Sequence, residues 1–295
     1  MHNFDLLSRL CLAACACFVL ASCGEDERIE ERSAVNVKRL STDVHVAIAQ
    51  HNLVLPFIAL EDYAYRHQSF SLNRKGDREH ALSAADKLMR DAADSKQPLA
   101  FDSLSVVVRT YGWNDSDMHQ IQMCPLLTRE WARSVCDNPW AAIQQALPGD
   151  RFRLVDLRHL QIDDPRSPAH CIDNGKPRRA LPKKPREAVM ICEKLVYGGD
   201  PDEFHNAIIR IDGDLGALWT VWRHGQNGET AEAMTERQGK AIIAFVQYAL
   251  GKREDFPALH ATMCRLRRPG SDDGIGSRSP GCASAVLPAP SRNTN

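Results

Sequence analysis

The chain carries almost no net charge. Its 37 lysines and arginines stand against 38 acids, for a formal −1 over 295 residues. A general nucleic-acid binder needs a basic surplus to meet phosphates, so the balance argues against that class. Beyond residue 21 there is no apolar run long enough to cross a bilayer, which takes about 20 residues of helix. The recognisable catalytic patterns are missing too. There is no Gly-x-Ser-x-Gly elbow, no His-Glu-x-x-His, no Cys-x-x-Cys, and no glycine-rich phosphate cradle ahead of a helix. No internal repeat is visible.

What is present begins at the N-terminus. Leu10 to Ala21 contains neither charge nor proline, and Arg9 precedes it. The run has the length of the apolar part of a secretory signal, about 7–15 residues. Asp5 departs from the usual positive start. Leu20-Ala21-Ser22-Cys23 then resembles the lipobox of bacterial lipoproteins: leucine, two small residues, cysteine. That resemblance implies loss of residues 1–22 and acylation of Cys23, with an ordinary cleaved signal as the alternative. Each buried methylene contributes about 0.8 kcal/mol, so several acyl chains anchor firmly where one does not. Gly24 stands where inner-membrane lipoproteins often carry Asp. The resemblance therefore implies the periplasmic face of the outer membrane, with the inner membrane as the alternative.

Cysteine supports export. Of ten, Cys11, Cys15 and Cys17 lie in the signal and Cys23 in the lipobox. Six remain: Cys124, Cys136, Cys171, Cys192, Cys264 and Cys282. An even set in an exported chain points to disulfides, and six cysteines allow 15 connectivities. Sequential pairing is the expectation: Cys124–Cys136, Cys171–Cys192 and Cys264–Cys282. Such loops contribute about 3 kcal/mol each in the chain-entropy model.

Over the whole chain, 43% hydrophobic and 25% charged residues are the composition of a globular protein. Residues 23–41 are acidic and read as a flexible tether, 42–268 as one globular domain, and 269–295 as a disordered tail. Val44–Ile48 and Asn52–Leu60 read as two strands or one bent strand, with Pro56 forcing an edge or a bulge, and further strands are expected at Leu104–Tyr111, Phe152–Ile162 and Ala188–Tyr197. Phe204–Ile211 and Ala217–Arg223 read as a hairpin about a Gly-containing turn. Tyr63–Arg78 reads as loop. Helices are expected at Glu79–Ala93, at two short segments within Leu127–Leu147 capped by Thr128 and by Asp137 or Asn138, at Thr230–Leu250 with Gly251 at C′, and at Phe256–Leu266. Hairpins without strict βα alternation predict an α+β fold with a mainly antiparallel sheet, stabilised by disulfides.

For chemistry the sequence offers little. Asp212-x-Asp214 opens like a calcium loop, but no glutamate follows at the twelfth position, so a turn is expected. Cys192 with His224 would need a free thiolate, and a disulfide is the stronger reading. Arg223–Thr230 enters the best helix, where Glu229 and Glu232 favour capping over anion binding. The tryptophans Trp113, Trp131 and Trp140 read as core. No cofactor or metal is expected. One exposed element stands out: a basic insert bearing Lys176, Arg178, Arg179, Lys183, Lys184 and Arg186, suited to an acidic partner or anionic headgroups. Without a catalytic motif, the chain most resembles a periplasmic immunity lipoprotein that neutralises an effector of a type VI secretion system. An envelope hydrolase with a scattered site and a structural lipoprotein of envelope assembly are the alternatives.

Overall fold

The computed structural model describes residues 37–38, 40–65, 68–71, 87–88, 90–91, 98–108, 123–134, 140–149, 151–160, 172–173, 176–177, 182–192, 204–267 and 282. The polar–apolar alternation from Asp43 produces β1 (Asp43–Ile48), with Val44, Val46 and Ile48 on the buried side. It pairs antiparallel with β2 (His51–Pro56). Pro56 ends β2, and β2 closes one edge of the sheet, where a missing amide costs least. A 3-10 turn over Phe57–Ala59 leads to β3 (Leu60–Tyr65) and β4 (Gln68–Ser71).

The β3–β4 pair corrects the loop expected from Tyr63. Tyr63 faces Phe70 and Ala64 faces Ser69 across the ladder. Tyrosine and phenylalanine are strand formers, and that preference outweighs the polar residues around them. Lys87, Leu88, Arg90 and Asp91 are helical, and Leu88 is buried, within the helix expected at Glu79–Ala93.

The middle of the sheet is β5 (Leu99–Val107), which starts five residues before its expected position. After a 3-10 turn at Cys124–Leu126 come two short helices, α1 (Glu130–Arg133) and α2 (Trp140–Ala146). Then follow β6 (Arg151–Asp156) and the two-residue strands β7 (Ile172–Asp173) and β8 (Lys176–Pro177). The domain continues through β9 (Ala188–Cys192), β10 (Phe204–Asp212), β11 (Leu215–Trp222), α3 (Ala231–Tyr248) and α4 (Phe256–Leu266). The last helix has the expected bounds.

The main sheet has nine strands, in the order β2-β1-β5-β6-β11-β10-β9, with the β3–β4 pair joined to β5. Among the described residues the one parallel pairing is β1 with β5. The architecture is thus α+β with a mainly antiparallel sheet.

Helix α3 covers the sheet. Trp131 and Phe152 each meet Phe245 edge-on, at centroid distances of 4.9 and 5.9 Å. The Trp219 indole donates to Gln238 Oε1 at 3.0 Å, satisfying two buried polar groups at once. At Gly239 the helix sits so close that a Cβ would come within 2.9 Å of Ile209 Cδ1 and 3.0 Å of the Ala188 Cβ. Only glycine allows that approach without repacking.

Two capping expectations fail. Thr128 does not cap α1; its hydroxyl donates to Asp43 Oδ2 at 2.8 Å. Arg129 is the N-cap residue, and the free amides of Glu130 and Trp131 donate instead to the Glu254 carboxylate at 2.8 and 2.7 Å. A remote acid does the work of a local cap. Gly251 is not a left-handed C′ residue: α3 ends at Tyr248, its C-cap Ala249 has a right-handed backbone, and Gly251 has no positive φ. The Gly251 carbonyl instead accepts from Arg129 Nη1 at 3.0 Å. Asp137 and Asn138 lie outside the described residues.

Candidate functional site

The basic insert contains more structure than a loop. Its first lysine lies in a small antiparallel pair in which Ile172 faces Pro177 and Asp173 faces Lys176. Asn174-Gly175, the dipeptide that favours two-residue hairpins, separates the two strands in sequence and is the signal, missed by the sequence reading, that could have found them. Arg178 and Arg179 lie outside the described residues.

The end of the insert is well defined. Pro182 is buried, whereas Lys183, Lys184, Pro185, Arg186 and Glu187 are exposed. The Glu187 amide donates to the Lys184 carbonyl at 3.3 Å, closing a four-residue turn over Pro185 and Arg186. Proline fixes φ at the second position of such a turn. The third position, Arg186, has φ 64°. Turns with proline second and a positive φ third normally place glycine there. For an arginine the left-handed backbone costs about 1–2 kcal/mol.

That strain is held from outside the turn. The Arg186 amide donates to the Arg210 carbonyl at 2.7 Å, and Arg210 Nε donates to the Pro182 carbonyl at 2.9 Å. The Glu187 carboxylate accepts from the Lys184 amide at 3.1 Å. Both ends of the turn are therefore fastened to β10 just before a register shift between Arg210 and Asp212. Such irregularities re-aim side chains at sheet ends.

Arg210 also reaches the β10–β11 turn, donating to the Gly213 carbonyl at 2.6 Å and to Asp214 Oδ1 at 3.3 Å. Asp214 in turn lies 3.6 Å from Arg158 Nε. Arg158 grips the buried Asp156 carboxylate through Nε and Nη2. These bonds hold the Asp156 carboxyl below its usual range, the Arg158 hydrogen bonds being the largest cause. Asp212-x-Asp214 is thus an ordinary turn whose second acid is engaged by arginines.

The result is a division of charge. The cations of Arg158 and Arg210 face Asp156 and Asp214. Among the described residues, Lys183, Lys184 and Arg186 have no ion-pair partner, and Glu187 is the one acid on their turn. A fixed, exposed, positive surface of this kind can accept a carboxylate or phosphate. Lys176 precedes it on β8.

The other sequence-identified residues are scattered. His224 is exposed in the loop after β11. Thr230 caps α3 by accepting from the Ala233 amide, and Glu229 pairs with Arg237, so that loop serves the helix end as expected. Trp131 is core. Trp113 and Cys23 lie outside the described residues, as do the side chains of Trp140, Cys136, Cys171 and Cys192. Cys124 is disulfide-bonded. Cys264 and Cys282 are joined as expected, with Cα atoms 5.5 Å apart.

Sequence reasoning missed two polar hubs. Arg237 Nη1 donates to the carbonyls of Gln145, Ala146 and Leu266, tying together the ends of α2 and α4, while its Nε meets Glu229 at 2.8 Å. Arg129 and Glu254 join β1, α1 and the segment after α3. Neither has a local sequence signature: apart from Glu229, eight positions before Arg237, every partner is remote. Among the described residues no helix is long and apolar enough to cross a membrane. No family model, curated protein or solved structure matches the chain.

Proposed function

We propose that the chain is an exported, lipid-anchored binding protein at the periplasmic face of the bacterial outer membrane, and specifically an immunity protein that neutralises a secreted antibacterial effector by covering it. The lipobox at Cys23 supports the address. The turn Pro182–Glu187 carries the binding reading. Its cations are exposed, and its backbone is strained at Arg186 yet fastened to β10. Strain that persists because the surroundings enforce it is a mark of functional positions. A surface ordered before contact also loses little entropy on binding. An acidic face of the effector is the complementary partner, with Lys176, Arg178 and Arg179 extending the contact.

The test is affinity capture with the exported chain against proteins encoded beside it in the genome. The expected result is retention of one neighbour that is toxic when directed alone to the periplasm. Reversing Lys183, Lys184 and Arg186 to Glu should abolish retention without unfolding the domain. Unchanged retention would remove the turn from the interface. Capture of nothing would turn attention to an enzymatic or assembly role.

A further inference from the structure

His260 and Cys264 stand four residues apart on α4, so their side chains share one face of the helix. The Cys264 sulfur lies 3.9 Å from His260 Nε2 and 4.0 Å from Nδ1. Cys282 arrives at the same point from the C-terminal segment and is bonded to Cys264. One donor atom from each of the three residues falls within 4.8 Å of the others. All three are partly exposed, so a solute can reach them.

We propose that His260, Cys264 and Cys282 form a redox-gated site for a thiophilic d10 cation such as Zn2+. This inference is independent of the binding role above. In the oxidised protein both sulfurs are spent on each other and the site is closed. A dithiol reductant transfers two electrons and two protons to the bond, yielding two thiols and the reductant's own disulfide. The metal then takes both sulfurs as thiolates and two protons leave.

The geometry is compatible with a tetrahedral site. With Zn–S near 2.3 Å and Zn–N near 2.05 Å, a tetrahedral site needs its sulfur and nitrogen about 3.6 Å apart and its sulfurs about 3.8 Å apart. The histidine already stands at close to the first distance. Two movements complete the site: the imidazole turns to aim one nitrogen at the metal, since the sulfur stands almost equally far from both, and the sulfurs separate once their bond is broken. Three protein ligands leave the fourth position to water or to another donor, and two thiolates with one imidazole select soft or borderline ions over magnesium or calcium.

The test uses the full chain, oxidised and dithiol-reduced, titrated with Zn2+ against a chromophoric chelator. The same samples are titrated with Co2+, whose thiolate charge-transfer absorption reports sulfur ligation. The chain's other cysteines form a common background, so each reading is a difference from a variant. Reduced wild type should hold one more zinc than Cys264→Ser or Cys282→Ser, and that difference should vanish on oxidation. His260→Ala retains the disulfide and so controls for folding. It should weaken the extra zinc and alter the cobalt spectrum. Equal zinc in reduced wild type and both serine variants would overturn the site. An unchanged cobalt spectrum in His260→Ala would equally overturn it, leaving a plain disulfide beside a histidine.

Discussion

Arg186 offers the sharpest test, because strain and charge can be varied separately. Arg186→Ala removes the charge and keeps the left-handed backbone at φ 64°. Arg186→Gly removes the charge and the steric cost together. A left-handed non-glycine residue costs about 1–2 kcal/mol, and glycine gives back about 0.4–1 kcal/mol through a more disordered unfolded chain. The glycine variant should therefore be more stable than the alanine variant by about 0.5–1 kcal/mol. In a domain of this size that shifts the melting temperature by roughly 2–4 °C per kcal/mol. Urea unfolding of both variants and wild type, at equal pH and salt, measures it. Wild type and Arg186→Ala should nearly coincide, since the guanidinium is exposed and has no ion-pair partner among the described residues. A glycine variant no more stable than the alanine variant would refute the claim that the turn stores strain. Partner retention should fall equally in both variants. If the glycine variant gains stability while losing its partner, then the arginine is kept at the expense of the fold.

Two further outcomes follow from the polar hubs. Arg237→Ala leaves Glu229, whose side chain is 6% exposed, buried and unpaired. Breaking such a pair costs about 3–5 kcal/mol, so chemical denaturation should show a loss of that size, and adding Glu229→Gln should restore a large part of it. Burial pushes the Glu254 carboxyl above its usual range, against the pull of the Trp131 and Glu130 amides and the Arg129 charge. Its folded pKa then exceeds its unfolded one, near 4.3. The native state holds the proton longer, so this group's contribution is complete below the unfolded value and is lost as pH rises through the folded one. Wild-type stability measured against Glu254→Gln should fall across that window, and a rise would show that the amide bonds outweigh burial.

Which elements were legible depended on whether their cause was local. The β10–β11 hairpin, α3 and α4 were readable because the apolar period and Gly213 at the turn sit beside the residues they organise, and the caps of the two helices, Thr230 and Asp255, are local as well. The β1–β2 hairpin was not fully readable, since Ala49 and Gln50 occupy its turn with φ 48° and 69°. Asn-Gly is the usual pair for that geometry, and Asn227-Gly228 shows it elsewhere in this chain with φ 55° and 79°. Tertiary pairing imposes the turn at Ala49-Gln50 that local sequence does not ask for. The basic insert divides in the same way. Its charge was plain in the sequence, but its presentation depends on Arg210, more than twenty residues away, and on a backbone angle that no arginine advertises. An N-terminal cap supplied by Glu254 to Glu130, across 124 positions, belongs to the same class. Charge and period fix what a segment can be; the long-range hydrogen bonds decide how rigidly it is held, and for a surface meant to meet a partner, that rigidity sets how much of its charge is converted into affinity.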